Sequence, residues 1–303
     1  MNILKDLLKI PSVTGEEYRM RDFLVDYFEK NDFFKGKAEL FYGDKYQDNL
    51  IVKVGKSPKV AVYAHQDIIG YTVRYNNEIV PIGSPHIAEG TTLTGADHLG
   101  EIKTILKKGK EDKIFCEFDR TLEPGTVLVH QSLFRQTDDI IESPYLDNRV
   151  GLYIALKLAE QGDDFVIAFT TYEEQNSGGA QFCAKYIYDE FSINQALILD
   201  TAWVSEYVKH GNGPVISLRD RGIPRKRYID KIRSIANKSG LNRQIEVERF
   251  GGSDGTAIQT TAVPVDWCFV GPPIKDAHKP IEKIKVSDIQ DSIELYKALI
   301  KNI

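Results

Sequence analysis

Short apolar runs that favour β-strands alternate with helix-length segments through most of this sequence. The runs KVAVYA (59–64) and DFVIAFTT (164–171) are rich in β-branched and aromatic residues. Helical patterns cover about 148–160 and 179–191. Strands that alternate with helices pack as a parallel or mixed sheet with helices on both faces. The sequence therefore predicts an α/β fold with a mixed sheet flanked by helices.

The alternation stops between residues 68 and 143, where no long helical pattern occurs. Strand-like runs such as YTVRY, KIFCEF and TVLVH are separated there by turns containing Gly, Asn and Pro. This pattern is typical of a β-rich unit, so we expect a small β-barrel-like domain inserted into the α/β chain. The predicted catalytic domain then comprises 1–67 and 144–303, and the inserted domain comprises 68–143.

The N-terminal segment is predicted to be helical. An amphipathic pattern with interspersed lysines runs from Asn2 to about Ile10 and stops at Pro11, which favours a helix over a signal peptide. Thr14 and Glu17 then form the pattern of a capping box. This pattern predicts that the Thr14 side chain caps a second helix.

Composition and charge place the chain among ordinary globular proteins. Of its 303 residues, 42% are hydrophobic and 27% are charged, and the net charge is −5. No apolar stretch is long enough to cross a bilayer. The richest basic run, Arg219–Arg233, also carries Asp220 and Asp230, which is typical of a solvated helix face. We expect neither a membrane nor a nucleic acid as partner.

The cysteines indicate the compartment. Cys116, Cys183 and Cys268 are widely spaced, have apolar neighbours and form no CxxC pair. Such a sparse, odd set predicts buried free thiols in a reducing environment, and hence a cytoplasmic protein.

Residues that commonly bind metals follow several predicted strands. In open α/β sheets, ligands bind beyond the carboxyl ends of the strands. The candidates at these ends, or just before a helix, are His65, Asp67, Asp147, Glu173, Glu174, Asp200 and His278. We therefore expect them to meet at one edge of the sheet.

This set can hold two metal ions that share one carboxylate. One arrangement puts His65 and Asp200 on one ion, Glu174 and His278 on the other, and Asp147 between them. Imidazole and carboxylate ligands without a thiolate suit zinc, cobalt or manganese. Two such ions can hold a hydroxide and a substrate carbonyl together.

Two candidates remain for other roles. Glu173 can take a proton from the water between the ions and pass it to the leaving amine. Asp67, two residues after His65, can accept the other imidazole N–H and orient the ring. Taken singly, any of these residues is more often a surface or turn residue. Their joint order favours a site, whereas His86, His98, His130 and His210 lack such neighbours and are interpreted as structural or surface residues.

The motifs that carry these residues resemble a known family. AHQDIIG, YLDNRVG, YEEQNSGGA, LILDTA, FGGSDG and AHKPIE are similar, in order, to motifs of the glutamyl and deblocking aminopeptidases that form tetrahedral dodecamers. The resemblance implies a zinc-exopeptidase-like fold and peptide substrates. It assigns metal ligation to His65, Asp147, Glu174, Asp200 and His278, the catalytic base to Glu173 and ring orientation to Asp67. It also implies a cis peptide bond after Asp147.

Spacing separates this family from its relatives. The dimeric carboxypeptidases and deacylases carry their inserted domain between the fourth ligand and the last histidine. Here the β-rich block lies between Asp67 and Asp147, a gap of 147 − 67 = 80 residues. We expect the block to flank the mouth of the site, because both its ends adjoin the metal-site motifs. The edges of its strands need cover, which subunit contacts can supply, and the resemblance implies a homo-oligomer such as a dodecamer.

The sequence departs from the family around three of its motifs. Lys275-Asp276-Ala277 replaces a common Arg-Tyr before the last histidine, and Gln175-Asn176 replaces a small apolar residue and Gly after the paired glutamates. Ile68 replaces a common Glu. The ligand positions are unchanged, so substrate choice is more open than chemistry.

Other functions compete with an aminopeptidase. Some relatives carry endoglucanase labels, but glycosidases need two opposed carboxylic acids and no metal, and two histidines among five carboxylates favour a metal site. Another metal-dependent amide hydrolase, of carboxypeptidase or deacylase type, stays open. So does a non-catalytic metal-binding relative, although Glu173 and Asp147 are both present.

Overall fold

The structure of the protein, a computed structural model, describes residues 1–176 and 178–303. The α-helices are α1 (Asn2–Leu7), α2 (Tyr18–Lys30), α3 (Leu146–Ala159), α4 (Gly178–Phe191), α5 (Lys226–Ser239), α6 (Asp254–Gln259) and α7 (Val286–Asn302). The first strands are β1 (Ala38–Phe41), β2 (Leu50–Val54), β3 (Ala61–His65), β4 (Gly70–Val73), β5 (Glu78–Ile82), β6 (Thr92–Asp97), β7 (Gly100–Lys108), β8 (Ile114–Glu117) and β9 (Val127–His130). The remaining strands are β10 (Arg135–Thr137), β11 (Ile140–Ser143), β12 (Phe165–Thr170), β13 (Gln195–Ile198), β14 (Ala202–Trp203), β15 (Val215–Ser217), β16 (Gln244–Glu246), β17 (Asp266–Gly271), β18 (Pro273–Lys275) and β19 (Glu282–Lys285).

A central mixed sheet organises the larger part of the chain. Its strand order is β1-β2-β12-β3-β13-β17-β15-β16. Strand β3 runs parallel to both β12 and β13, whereas β2 and β15 pair antiparallel with their neighbours β12 and β17. Every residue of β3 and β12 is buried, as expected for strands covered on both faces. The predicted mixed α/β sheet is confirmed.

Helices cover both faces because side chains alternate along each strand. Val62 of β3 packs in one core with residues of α3, α5 and α7. Its neighbour Tyr63 packs in a second core with residues of α4 and α6. The carboxyl ends of the central parallel strands are thereby fixed between two packed layers.

The insertion contains a closed β-barrel. Its strands follow the order β4-β5-β8-β7-β6-β9, with antiparallel pairing between neighbours. Tyr71, Leu93, Leu106 and Leu128 fill its interior. The barrel-like insertion predicted from the sequence is confirmed as part of the fold. The exact division into 1–67, 68–143 and 144–303 stays a prediction.

A second sheet carries the C-terminal part of the site. Its order is β10-β11-β19-β18-β14. The turn between β18 and β19 holds His278, and β11 leads directly towards Asp147. The described residues contain no helix long and apolar enough to cross a membrane.

The predicted capping box at Thr14 is wrong. Helix α2 begins at Tyr18, its N-cap is Glu17, and no side chain caps it. The Thr14 hydroxyl instead donates a hydrogen bond of 2.7 Å to Asp67 Oδ2. The carboxylate of Asp67, which is distant in the sequence, is therefore the partner of Thr14 in place of a local backbone amide. The predicted burial of all three cysteines as free thiols is confirmed.

Candidate metal centre

The parallel strands bring the predicted residues to one edge of the central sheet. Strand β3 ends at His65, which is in register with Thr170 at the end of β12. Glu173 and Glu174 follow shortly after the end of β12. Asp200 follows the end of β13, the other neighbour of β3. Four of the predicted residues thus meet because three adjacent parallel strands end together.

The first group comprises His65, Glu173 and Asp200, whose ligand atoms all lie within 4.8 Å of one another. His65 Nε2 lies 3.5 Å from Asp200 Oδ1 and 3.9 Å from Glu173 Oε2. His65 is buried, and Glu173 is partly buried. These three side chains converge on one point of the cavity.

The second group comprises Asp147, Glu174 and His278, again with ligand atoms within 4.8 Å of one another. His278 Nε2 lies 3.4 Å from Glu174 Oε2 and 3.6 Å from Asp147 Oδ2. The other oxygen of the same aspartate, Oδ1, lies 3.2 Å from His65 Nε2. Asp147 therefore faces both groups, one oxygen to each histidine. The peptide bond between Asp147 and Asn148 is cis, which confirms the implication of the resemblance.

Asp67 lies behind both groups. Its carboxylate accepts hydrogen bonds from the backbone amides of Glu173 at 3.2 Å and Glu174 at 3.1 Å, besides that from Thr14. His65 Nδ1 lies 3.2 Å from the Asp67 carbonyl oxygen and 3.4 Å from Oδ1. Asp67 is placed to set the direction of the paired glutamates as well as that of the ring.

Glu282 is a site residue that the sequence reasoning did not single out. Its buried carboxyl accepts hydrogen bonds from the backbone amides of Asp147 at 3.1 Å and His278 at 2.8 Å. It thereby ties together two candidate ligands that are far apart in the chain. The signal for it was present, since Glu282 ends the motif AHKPIE.

The inserted domain also contacts the site through Ser84, which was not predicted. His278 Nδ1 lies 2.9 Å from Ser84 Oγ and 3.2 Å from the Ser84 carbonyl oxygen. Partners on the second imidazole nitrogen fix the orientation of a ligating ring. Ser84 follows β5 of the barrel, so the insertion helps to orient a candidate ligand.

Asp254, in the motif FGGSDG, is a third residue that was not predicted. It is 1% exposed, accepts a hydrogen bond from Thr170 Oγ1 through Oδ2, and has no partner for Oδ1 among the described residues. Burial raises the pKa of Asp254 to about 7, and the carboxylate of Asp200 adds to the shift. This buried carboxyl supports the end of β12, from which the paired glutamates follow.

The electrostatics of the groups indicate a shortage of positive charge. Burial raises the pKa of Glu174 to about 8, and it also raises the pKa values of Glu173 and Asp200. Although burial acts in the opposite direction, Asp147 and Glu174 raise the pKa of His278 to about 10. Buried carboxylates need a positive partner or a proton. The two histidines share four carboxylates, so further cations would stabilise the ionised cluster.

Comparison with known proteins identifies the kind of site. Residues 117–295, more than half of the chain, match the family model described as M42 glutamyl aminopeptidase. The chain belongs to the M42 peptidase family. It is therefore a metal-dependent aminopeptidase, a hydrolase of peptide bonds.

Two relatives and one solved structure are similar to almost the whole of this chain. A putative aminopeptidase of Acetivibrio thermocellus is 24% identical, covering 97% of this chain and 96% of the relative. A lysyl aminopeptidase of Pyrococcus furiosus is 24% identical, covering 99% and 96%. The TET1 peptidase of Pyrococcus horikoshii, 22% identical with coverage of 99% and 98%, has the same fold with a TM-score of 0.82.

The donor atoms of this M42 chain fit divalent metal ions. Each group offers one imidazole nitrogen and two carboxylates, without a thiolate, which suits zinc, cobalt or manganese. Glu174 Oε1 is buried and has no hydrogen-bond partner among the residues described. A buried carboxylate oxygen without a partner is unfavourable unless a cation lies beside it.

A cavity of about 770 Å³ gives peptides access to the groups. Its lining includes Asp147, Glu173 and His278 of the two groups, together with Trp203, Glu246 and Phe250. Its volume suits the first residues of a peptide better than a folded protein.

Proposed function

We propose that this M42 chain removes N-terminal residues from peptides with two divalent metal ions that share Asp147. The observation that carries the proposal is the placement of Asp147, whose oxygens face His65 and His278 separately at 3.2 and 3.6 Å. A carboxylate that faces two histidine-containing groups suits a shared ligand. Closely spaced pairs of this kind occur in aminopeptidases.

Five residues would hold the ions. His65 and Asp200 would bind one, Glu174 and His278 the other, and Asp147 both. Zinc is the metal we propose, with cobalt and manganese as alternatives that the same donors accept. When bound, the ions supply Lewis-acid chemistry, because they polarise a carbonyl oxygen and lower the pKa of water.

Glu173 is proposed as the general base. Its carboxylate points into the first group, 3.9 Å from His65 Nε2, and lines the cavity. Burial raises the pKa of Glu173, which favours a carboxylate that accepts a proton from water and then gives it to the leaving amine. The amides of Glu173 and Glu174 both donate to Asp67, so Asp67 is proposed to position this base and to orient His65.

The chain is proposed to work as a homo-oligomer such as a dodecamer. The Pyrococcus horikoshii TET1 peptidase can assemble into a tetrahedron or an octahedral shell. Tyr75, Leu99 and Ile105 of the insertion are exposed apolar side chains, which subunit contacts could cover. Residues 68–143 are proposed as a unit that flanks the substrate path and takes part in these contacts. Light scattering tests the assembly, since a monomer at micromolar concentration would contradict it.

The preferred first residue does not follow from the family. The resemblance implies glutamyl or deblocking activity, and the matching family model is described as glutamyl. The Pyrococcus furiosus relative is named a lysyl aminopeptidase. The first residue that this chain prefers therefore depends on the side chains that line its own cavity.

Hydrolysis of aminoacyl-p-nitroanilides tests the proposed function. The protein is stripped with a chelator, and activity is measured before and after addition of zinc, cobalt or manganese. We expect activity to disappear with the chelator and to return with metal. The same p-nitroanilides with an acetylated α-amino group are the control. Equal cleavage of the blocked and the free substrates would instead favour another amide hydrolase, of carboxypeptidase or deacylase type.

A further inference from the structure

Glu246 brings an acidic side chain into the cavity away from the two metal-binding groups. It ends β16, at the edge of the central sheet, opposite Ser217 of β15. The residue is half-buried and lines the same cavity as Glu173. Within the described residues, its carboxylate makes no hydrogen bond and no ion pair.

The neighbouring acidic residues of the cavity are already satisfied. Glu248 Oε1 accepts hydrogen bonds from the backbone amides of Arg249, Phe250 and Gly251 at 2.7, 2.7 and 3.1 Å. Asp220 accepts hydrogen bonds from the Gly222 amide and from hydroxyl groups of Ser253 and Thr256. These two carboxylates shape their own loops, which leaves Glu246 available to a ligand.

The surroundings of Glu246 favour a positive ligand. Burial raises the pKa of Glu246 to about 7, and the nearby carboxylate of Glu248 adds to the shift. Both effects penalise the ionised form, and a cation placed beside it would offset them. A half-buried acid without a partner is thus poorly stabilised until a positive group arrives.

The position of Glu246 suits the end of a side chain rather than the α-amino group. The α-amino group is attached to the carbon next to the scissile carbonyl, so it must stay beside the reacting atoms. In the central sheet, β17 and β15 lie between β16, which carries Glu246, and β13, which leads to Asp200 of the metal centre. A group separated in this way is reached by the long stems of lysine or arginine.

We propose that Glu246 selects peptides whose first residue is lysine or arginine, by pairing with the cation at the end of that side chain. The inference rests on the proposed aminopeptidase function and specifies its substrate class. Arg221 is the competing recognition residue, since its exposed side chain also lines the cavity and would suit an N-terminal glutamate. An exposed arginine is well solvated without a partner, whereas a half-buried carboxylate is not, and this difference favours the basic substrate.

The test compares kcat/KM for lysyl-, arginyl-, leucyl- and glutamyl-p-nitroanilide. We expect the two basic substrates to be preferred. The variant Glu246→Gln should lower kcat/KM for both by about 10–100-fold, the range for loss of a charged hydrogen bond, and leave the leucyl substrate nearly unchanged. Glu39→Gln, at an exposed position of β1 on the opposite edge of the sheet, is the matched control. Melting temperatures of both variants report whether the fold is kept.

A second readout is independent of turnover. Calorimetry should show that lysinamide binds more tightly than leucinamide to the wild type, and that Glu246→Gln removes this difference. An equal loss on all substrates would overturn the proposal, because Glu246 would then act on the α-amino group or on the fold. A preference for glutamyl substrate that Arg221→Ala abolishes would also overturn it, and aminopeptidase activity would stand. Absence of turnover on every substrate with every metal would remove the proposed function and this inference together.

Discussion

The carboxyl group of Glu282 accepts a hydrogen bond of 2.8 Å from the backbone amide of His278. Its second oxygen accepts one of 3.1 Å from the amide of Asp147. One buried side chain thus links the backbones of Asp147, the proposed shared ligand, and His278. The two candidate ligands are therefore held relative to each other through their backbone amides.

Glu282→Gln should weaken metal binding without unfolding the protein. Glutamine has one carbonyl oxygen, so it can serve only one of the two amides and leaves the other buried without a partner. Loss of such supporting contacts typically costs about 10–100-fold in metal affinity or activity. Zinc affinity measured by competition with a chromophoric chelator checks this. Glu206→Gln, at an exposed position, is the control. An unchanged affinity in Glu282→Gln would show that the contacts do not position the ligands.

Glu173→Gln should keep both metal ions and abolish turnover. The amide has nearly the shape of the carboxylate but cannot accept the proton, and such proton transfer contributes about 10²–10⁴-fold in rate. Metal content by mass spectrometry and kcat on the same sample separate the two effects. Loss of one or both ions from this variant would move Glu173 from the role of base to that of ligand.

Asp147→Ala should cause a greater loss of bound metal than Asp67→Asn. Asp147 faces both groups, so its removal should empty or disorder the pair of ions. In Asp67→Asn the new side chain would keep one acceptor oxygen for the paired amides, and changes behind the ligands cost about 10–100-fold. Metal content after dialysis ranks the two variants. Equal loss of metal in both would contradict the assignment of Asp147 as the shared ligand.

Lowering the pH should destabilise the fold, because protonation of the buried His130 ring is unfavourable in the folded protein. The ring is buried between Tyr71 and Tyr145, neither nitrogen has a partner among the described residues, and burial lowers its pKa to about 4. An unfolded histidine titrates near about 6.5. Between these values the unfolded chain binds the extra proton, so stability falls as the pH is lowered from about 6.5 to 4.

The difference between the pKa values of folded and unfolded His130 corresponds to about 3 kcal/mol in the free energy of unfolding. His130→Phe keeps an aromatic ring between the tyrosines and should flatten this dependence. Urea unfolding of the metal-free protein at several pH values measures it, and the same change at exposed His98 is the control. An equal acid sensitivity of wild type and His130→Phe would exclude His130 as the cause.

Much of the candidate site could be predicted because the ends of buried strands can be recognised in the sequence. KVAVYA predicts a buried strand, so His65 had to lie at its carboxyl edge, and the same reasoning placed Glu173 and Asp200. Contacts between side chains and distant backbone amides have no such local signal. Glu282 and Ser84 act on ligands far away in the chain, and only the folded structure brings them together.

Thr14 illustrates why the remaining errors arose. Its local pattern matches a helix cap, yet its hydroxyl donates to Asp67, which lies 53 positions further along the chain. At this position, the need of the buried Asp67 carboxylate for a hydrogen-bond donor outweighs the helix-capping propensity of the local sequence. Asp254 was missed for a similar reason, since a short Gly-rich motif does not indicate that its aspartate is buried behind β12.

Metal titration tests the central claim most directly. The chelator-treated protein is titrated with zinc while binding and hydrolysis of an aminoacyl-p-nitroanilide are followed together. The proposed arrangement predicts two ions bound per chain, no hydrolysis in the metal-free protein, and full activity at two equivalents. Full activity in the absence of metal, or saturation of binding at a single ion with full activity, would contradict it.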